Sequence, residues 1–106
     1  MASRRWRDAA LALALFLLPA AGPTPQRQEE LRHLLLHDCG SCHGMTMRGG
    51  LGRPLLPEAI AGRGDELLAE IIMNGIRGTA MPPWAGELSN EDAAWMVRLL
   101  REGVSP

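Results

Sequence analysis

The sequence predicts an all-α fold: three main helices and two irregular loops, wrapped around an apolar body that the chain itself does not encode. Three observations lead there. Apolar residues recur at helical spacing in three segments, and no segment alternates like a strand. Two intervening stretches are rich in glycine and proline, one of them holding six of the twelve glycines. The core the chain can supply is also thin, with no Tyr and a single Phe, Phe16, which lies in an N-terminal export segment. The roughly 85 residues left after that segment form a core that is marginal without a staple.

The export segment comes first. Arg4, Arg5 and Arg7 precede an unbroken apolar run over residues 9–18, and the small residues Ala20, Ala21 and Gly22 follow. That order is a cleavable secretory signal peptide over residues 1–21, cut within 20–22. The run is about half the roughly 20 residues a spanning helix needs, so no stable membrane anchor is expected. Residues 22–28 read as a linker and 29–106 as one domain.

The first helix is expected over residues 26–38, with Leu31, Leu34 and Leu35 on one face and Glu29 and Glu30 near its positive end. Gly40 either ends it or lets it run tightly onward. Residues 44–64 read as a loop, a length that is usually functional in a compact domain. Asp65 is expected to cap a second helix reaching about Asn74, with Leu67, Leu68, Ile71 and Ile72 as its stripe and Gly75 as its stop. A second loop, residues 76–86, contains Met81-Pro82-Pro83-Trp84. Ser89 opens the third helix, with Asp92 completing an approximate capping box and Leu88 as a staple. Its apolar positions are Ala94, Trp95, Val97, Leu99 and Leu100.

The chemistry lies in Cys39-Gly40-Ser41-Cys42-His43. Two thiols three residues apart can each add to a porphyrin vinyl group, and the next residue then lies under the ring as an iron ligand. Zinc would need two more ligands, and no second Cys pair exists; a thioredoxin-like dithiol would need a βαβ pattern. The motif therefore implies one covalently attached haem c, with Cys39 and Cys42 as thioether residues and His43 as proximal ligand. Of the methionines beyond the signal, Met73 and Met96 fall on helices, where core filling is the expected role. Met45 and Met47 are too close to His43 to reach the opposite face. Met81 lies 38 residues after His43 on the second loop, its exit stiffened by Pro82 and Pro83, and is the expected distal ligand. His33 and His37, four apart on the first helix, read as solvated groups rather than ligands. Trp84 and Trp95 read as packing.

All eleven basic residues are arginine. Beyond residue 21, eight arginines stand against eleven carboxylates, a net charge of −3. That argues against nucleic acid or an anionic membrane and mildly favours a partner with a basic docking face. A monomer is expected. No Ser-His-Asp set, phosphate-binding loop or isolated carboxylate pair points to an enzyme.

Residues 29–101, with Cys39, Cys42, His43 and Met81 at the matching positions, resemble a class I monohaem cytochrome c. The resemblance implies the cytochrome c fold and a loop carbonyl that orients the proximal imidazole. In Gly52-Arg53-Pro54-Leu55 the proline is one place later than usual, and Arg53 would supply that carbonyl. The runs from Leu34 to Thr46, Leu55-Leu56-Pro57-Glu58-Ala59 and Met81-Pro82-Pro83-Trp84 also resemble the small periplasmic cytochromes encoded with the haem d1-containing nitrite reductase of denitrifying bacteria. That narrower likeness implies a periplasmic electron carrier donating to the reductase, or a redox accessory working with a d1 haem maturation enzyme. An open-site haem enzyme or gas-binding protein is the rival of another class; in it Met81 would not bind iron.

Overall fold

The computed structural model describes residues 22–106, and the signal-peptide expectation falls outside them. Those residues form helices and loops without strands, as the apolar spacing requires. Helix α1 spans Pro25–Leu34, beginning inside the stretch expected to be a linker. The Thr24 side chain accepts from the Arg27 N–H at 3.2 Å, and Pro25 takes the first helical position, where a missing N–H costs nothing. Starting this early places Glu29 and Glu30 beyond the first turn, so they do not serve the dipole as expected.

The chain does not stop at Asp38. A π-turn, Leu35–Cys39, leads directly into α2, Gly40–His43. A π-turn closes its hydrogen bonds one residue farther along than an α-turn, and such turns favour functional sites. Here it rotates the motif relative to the buried Leu31 and Leu35 face. Gly40 is buried against Met45 and the Leu35 carbonyl, so the backbone passes through it tightly rather than ending there.

The long loop contains one short helix, α3, Pro57–Ile60, opened by its proline. Helix α4, Asp65–Asn74, is entered through Gly64, so Asp65 is its first residue and not its cap. Helix α5, Asn90–Glu102, has the full reciprocal capping box between Ser89 and Asp92. Its buried face holds Ala93, Met96, Val97, Leu99 and Leu100, while Ala94 points outward. The face is rotated from the expected one because Asp92 itself turns inward, tied to Arg27.

Helix α5 packs against α1, α3 and α4. Leu31, Ala93 and Met96 are 0 % exposed at this centre; complete burial of a Leu or Met side chain is worth about 2–3 kcal/mol. Two arginine clamps close the ends of α5. Arg27 donates to Asp92 Oδ2 at 3.0 Å and to the Glu87 carbonyl at 3.0 Å. Arg101 donates to Asp65 at 2.5 Å and to the carbonyls of Ile60 and Arg63. Burial pushes the Asp92 carboxyl up, but the hydrogen bonds from Arg27 and Ser89 and the Arg27 charge outweigh it and hold the group below the usual carboxylate range.

Candidate haem-binding site

The site begins at the end of α2, where His43 is the last helical residue. The loop that follows folds back on it. The Gly49 N–H donates to the His43 carbonyl at 2.8 Å, and the Gly52 N–H donates to the Cys42 carbonyl at 2.7 Å. These bonds cap carbonyls that the helix end leaves without partners. They also bring Arg53 over the imidazole, where its carbonyl accepts from His43 Nδ1 at 2.7 Å. A carbonyl cannot donate, so Nδ1 carries the proton and Nε2 keeps its lone pair. That is the tautomer an iron ligand needs, with its orientation set by an outer partner. Gly52 lies flat on the ring: a Cβ there would meet His43 Cε1 and Nδ1 at 2.8 Å.

The loop has its own anchor, which sequence reasoning missed. Met47 is 1 % exposed and takes φ 62°, a left-handed conformation uncommon outside glycine. Its carbonyl accepts from the Leu55 N–H at 2.9 Å. Its side chain belongs to the main core cluster. Nothing in a methionine three residues after Gly44 announces this; only the closed loop shows that the core has a gap there.

Cys39 ends the π-turn and Cys42 lies within α2. Cys39 is half-buried against the core. Cys42 is exposed one helical turn on. Ser41, between them, donates to the Asp38 carbonyl at 2.7 Å and holds the turn.

Met81 lies between α4 and α5, partly buried. Its carbonyl accepts from the Ile76 N–H at 3.3 Å, and its N–H donates to the Thr79 hydroxyl at 3.3 Å. Gly75, at φ 68°, leaves α4 so close to this strand of loop that a Cβ would meet the Met81 carbonyl oxygen at 2.5 Å. The Trp84 N–H then closes on the Ile72 and Met73 carbonyls, each at 3.1 Å, ending α4. Trp84, Trp95 and Met73 pack against the core and Met96 is fully buried in it, the filling roles expected of them. His33 and His37 stand exposed with ring centroids 4.2 Å apart, and among the described residues no cluster of three or more metal-binding side chains forms.

The donor set fits haem c. Two thiols one turn apart can form the thioethers, and an imidazole with a free, fixed Nε2 can bind iron. The flanking apolar side chains Leu36, Leu55, Leu56 and Ile72, each only partly buried on the core, suit a porphyrin. An open cleft of about 310 Å³ lies elsewhere, between α4 and Asn90, and shares none of these side chains.

Comparison with known proteins places the sequence and the fold. The family model described as cytochrome C oxidase, cbb3-type, subunit III matches residues 26–100. Cytochrome c55X of Pseudomonas aeruginosa is 52% identical over 99 residues, covering 88% of this chain and 83% of that one. Among solved structures, a c-type cytochrome NirC superposes with a TM-score of 0.77 at 53% identity, over 79% of this chain and all of that chain. Dihydro-heme d1 dehydrogenase NirN, solved in complex with DHE, matches with a TM-score of 0.62 at 32% identity, over 70% of this chain but only 16% of its own. With both the sequence and the helical fold matched this way, the chain belongs to the cytochrome c family, cbb3 subunit III-like, and its cofactor is a single covalently bound haem c.

Proposed function

We propose that the protein is a periplasmic one-electron carrier, exported by the signal peptide of residues 1–21, with Cys39 and Cys42 joined to the haem and His43 and Met81 as axial ligands. Its electrons go to a haem d1 nitrite reductase in denitrification. The observation that carries the carrier reading is the 2.7 Å bond from His43 Nδ1 to the Arg53 carbonyl. It holds the imidazole in one orientation without help from a metal, and a centre that would not rearrange is what rapid electron transfer requires. Bound haem supplies the Fe(III)/Fe(II) couple; a thioether as second ligand raises its potential. The tethered Met81 backbone supports that ligand, and with His43 and Met81 both bound the iron would have no position left for a substrate.

The partner assignment is supported by the likeness to cytochrome c55X and NirC. Likeness to a dihydro-heme d1 dehydrogenase favours a second reading, in which the same electrons serve d1 haem maturation. Among the described residues no helix is long and apolar enough to cross a membrane, consistent with a carrier that diffuses between partners once exported.

Two measurements test these readings. The ferric holoprotein should show the weak far-red sulfur-to-iron band and fail to bind carbon monoxide once reduced; prompt carbon monoxide binding without the band would return the open-site rival. Ferrous protein should be oxidised by purified haem d1 nitrite reductase. If it is not, and a deletion strain makes reductase lacking mature d1 haem, the maturation reading replaces delivery.

A further inference from the structure

Charge is segregated along this chain. Residues 44–56 and 75–86, the loops around His43 and Met81, hold Arg48, Arg53 and Arg77 and no carboxylate. The rest of residues 22–106 carries five arginines and all eleven carboxylates. The chain's net negative charge therefore describes the rest of the chain and misdescribes these two loops.

The first loop adds an apolar tip to this reversal. Leu51 is 96% exposed, flanked by Gly50 and Gly52, with exposed Arg48 and Arg53 on either side. Among the described residues neither arginine makes an ion pair. The tip is not loose. The Gly50 N–H donates to the Gly52 carbonyl at 3.0 Å and the Gly52 N–H to the Cys42 carbonyl at 2.7 Å. A rigidly presented leucine that contributes nothing to the core is available to a partner without an ordering cost. Its neighbour Gly52 touches the His43 ring, so a protein seated on Leu51 is one residue from the imidazole.

We propose that Arg48, Leu51 and Arg53 form the docking surface for a redox partner, and that the partner presents an acidic rim around an apolar recess. This rests on the electron-carrier reading. The arginines steer encounter with the partner, and Leu51 enters the recess and excludes water beside the proximal ligand. The arrangement reverses the basic partner face that net charge suggests.

The experiment uses holoprotein in two readouts. In the first, amides of the ferrous protein are mapped by NMR during titration with the inert paramagnetic anion hexacyanochromate(III). Broadening should centre on residues 46–54 and vanish in Arg48→Glu; broadening spread over the surface or centred elsewhere overturns the proposal. In the second, stopped-flow oxidation by haem d1 nitrite reductase is followed against ionic strength. The wild-type rate should fall as salt rises, Arg48→Glu should be about tenfold slower at low salt, and Leu51→Ser should be several-fold slower at every salt concentration. Arg98→Glu, an equal charge change on the exposed face of α5, is the control, and equal slowing by it would mean net charge alone matters. If Arg48→Glu shifts the haem potential while the salt slope stays that of wild type, Arg48 serves a haem propionate and the docking role is wrong. If wild type does not react with the reductase yet the anion still maps to this loop, delivery fails and the surface stands.

Discussion

The loop after His43 holds a side chain, whereas the loop around Met81 holds only a backbone. In the first, the Arg53 carbonyl fixes one edge of the imidazole and Gly52 lies on its face. In the second, the Ile76 N–H and the Thr79 hydroxyl fix the Met81 carbonyl and N–H, and among the described residues no hydrogen bond reaches the thioether. The difference follows from the atoms. An imidazole has a second nitrogen through which protein can orient it, while a thioether is a weak acceptor with nothing else to hold. The His43 imidazole is thus oriented by the protein alone, whereas the Met81 sulfur is held only through its tethered backbone.

The largest effect should come from breaking the side-chain clamp. Gly52→Val puts a branched carbon where even a Cβ lies 2.8 Å from the ring. Holoprotein yield, read as Soret absorbance per protein, should fall about tenfold or more, since a shift of about 1.4 kcal/mol already changes an equilibrium tenfold. Normal yield with a normal low-spin spectrum would show that the clamp is dispensable. Met81→Ala should come next: haem stays attached, the far-red band disappears, the potential drops and carbon monoxide binds. An unchanged spectrum would move the distal role to another residue. Gly75→Ala strikes the backbone tether, placing a Cβ 2.5 Å from the Met81 carbonyl oxygen at φ 68°. Strain of about 1–3 kcal/mol should make the far-red band melt at lower temperature than the Soret signature of the attached haem. Simultaneous loss of both would erase the contrast between the loops.

A smaller effect belongs to the helix clamp away from both loops. Asp92→Asn should lower unfolding stability by about 1–2 kcal/mol while leaving the far-red band intact. The pH dependence has a definite sign. Asp92 is held below its ordinary value of 3.8, so its contribution is present above that value and is lost as pH falls through the lower folded-state value. The stability gap between wild type and Asp92→Asn, measured by urea unfolding, should therefore be constant near neutrality and close in acid. A gap that widens in acid would contradict the clamp.

Much of this was legible in the residues because local rules sufficed. Ser89 and Asp92 announce a capping box by spacing alone, and the pair of cysteines with His43 announces haem by the geometry of one helical turn. Arg53 was legible only through family likeness, since a backbone carbonyl leaves no trace in side-chain identity. Three features were not legible. The π-turn of Leu35–Cys39 arises where the helix must serve both the core and the motif, and three consecutive leucines do not reveal which will point inward. Asp65 looks like a cap but is drawn to Arg101, 36 residues away. Met47 looked like one of several loop methionines until the closed loop placed it in the core.

The sequence by itself determined the chemistry and the helical class. A thioether motif and a 3.6-residue apolar period depend only on neighbours within one or two turns. Tertiary structure alone decided which imidazole nitrogen is free, that Met47 fills the core, and which face of α5 is buried. Those outcomes depend on a carbonyl ten residues from His43 and on Arg27 reaching Asp92 across the fold, and non-local contacts of that kind exist only after the chain has closed.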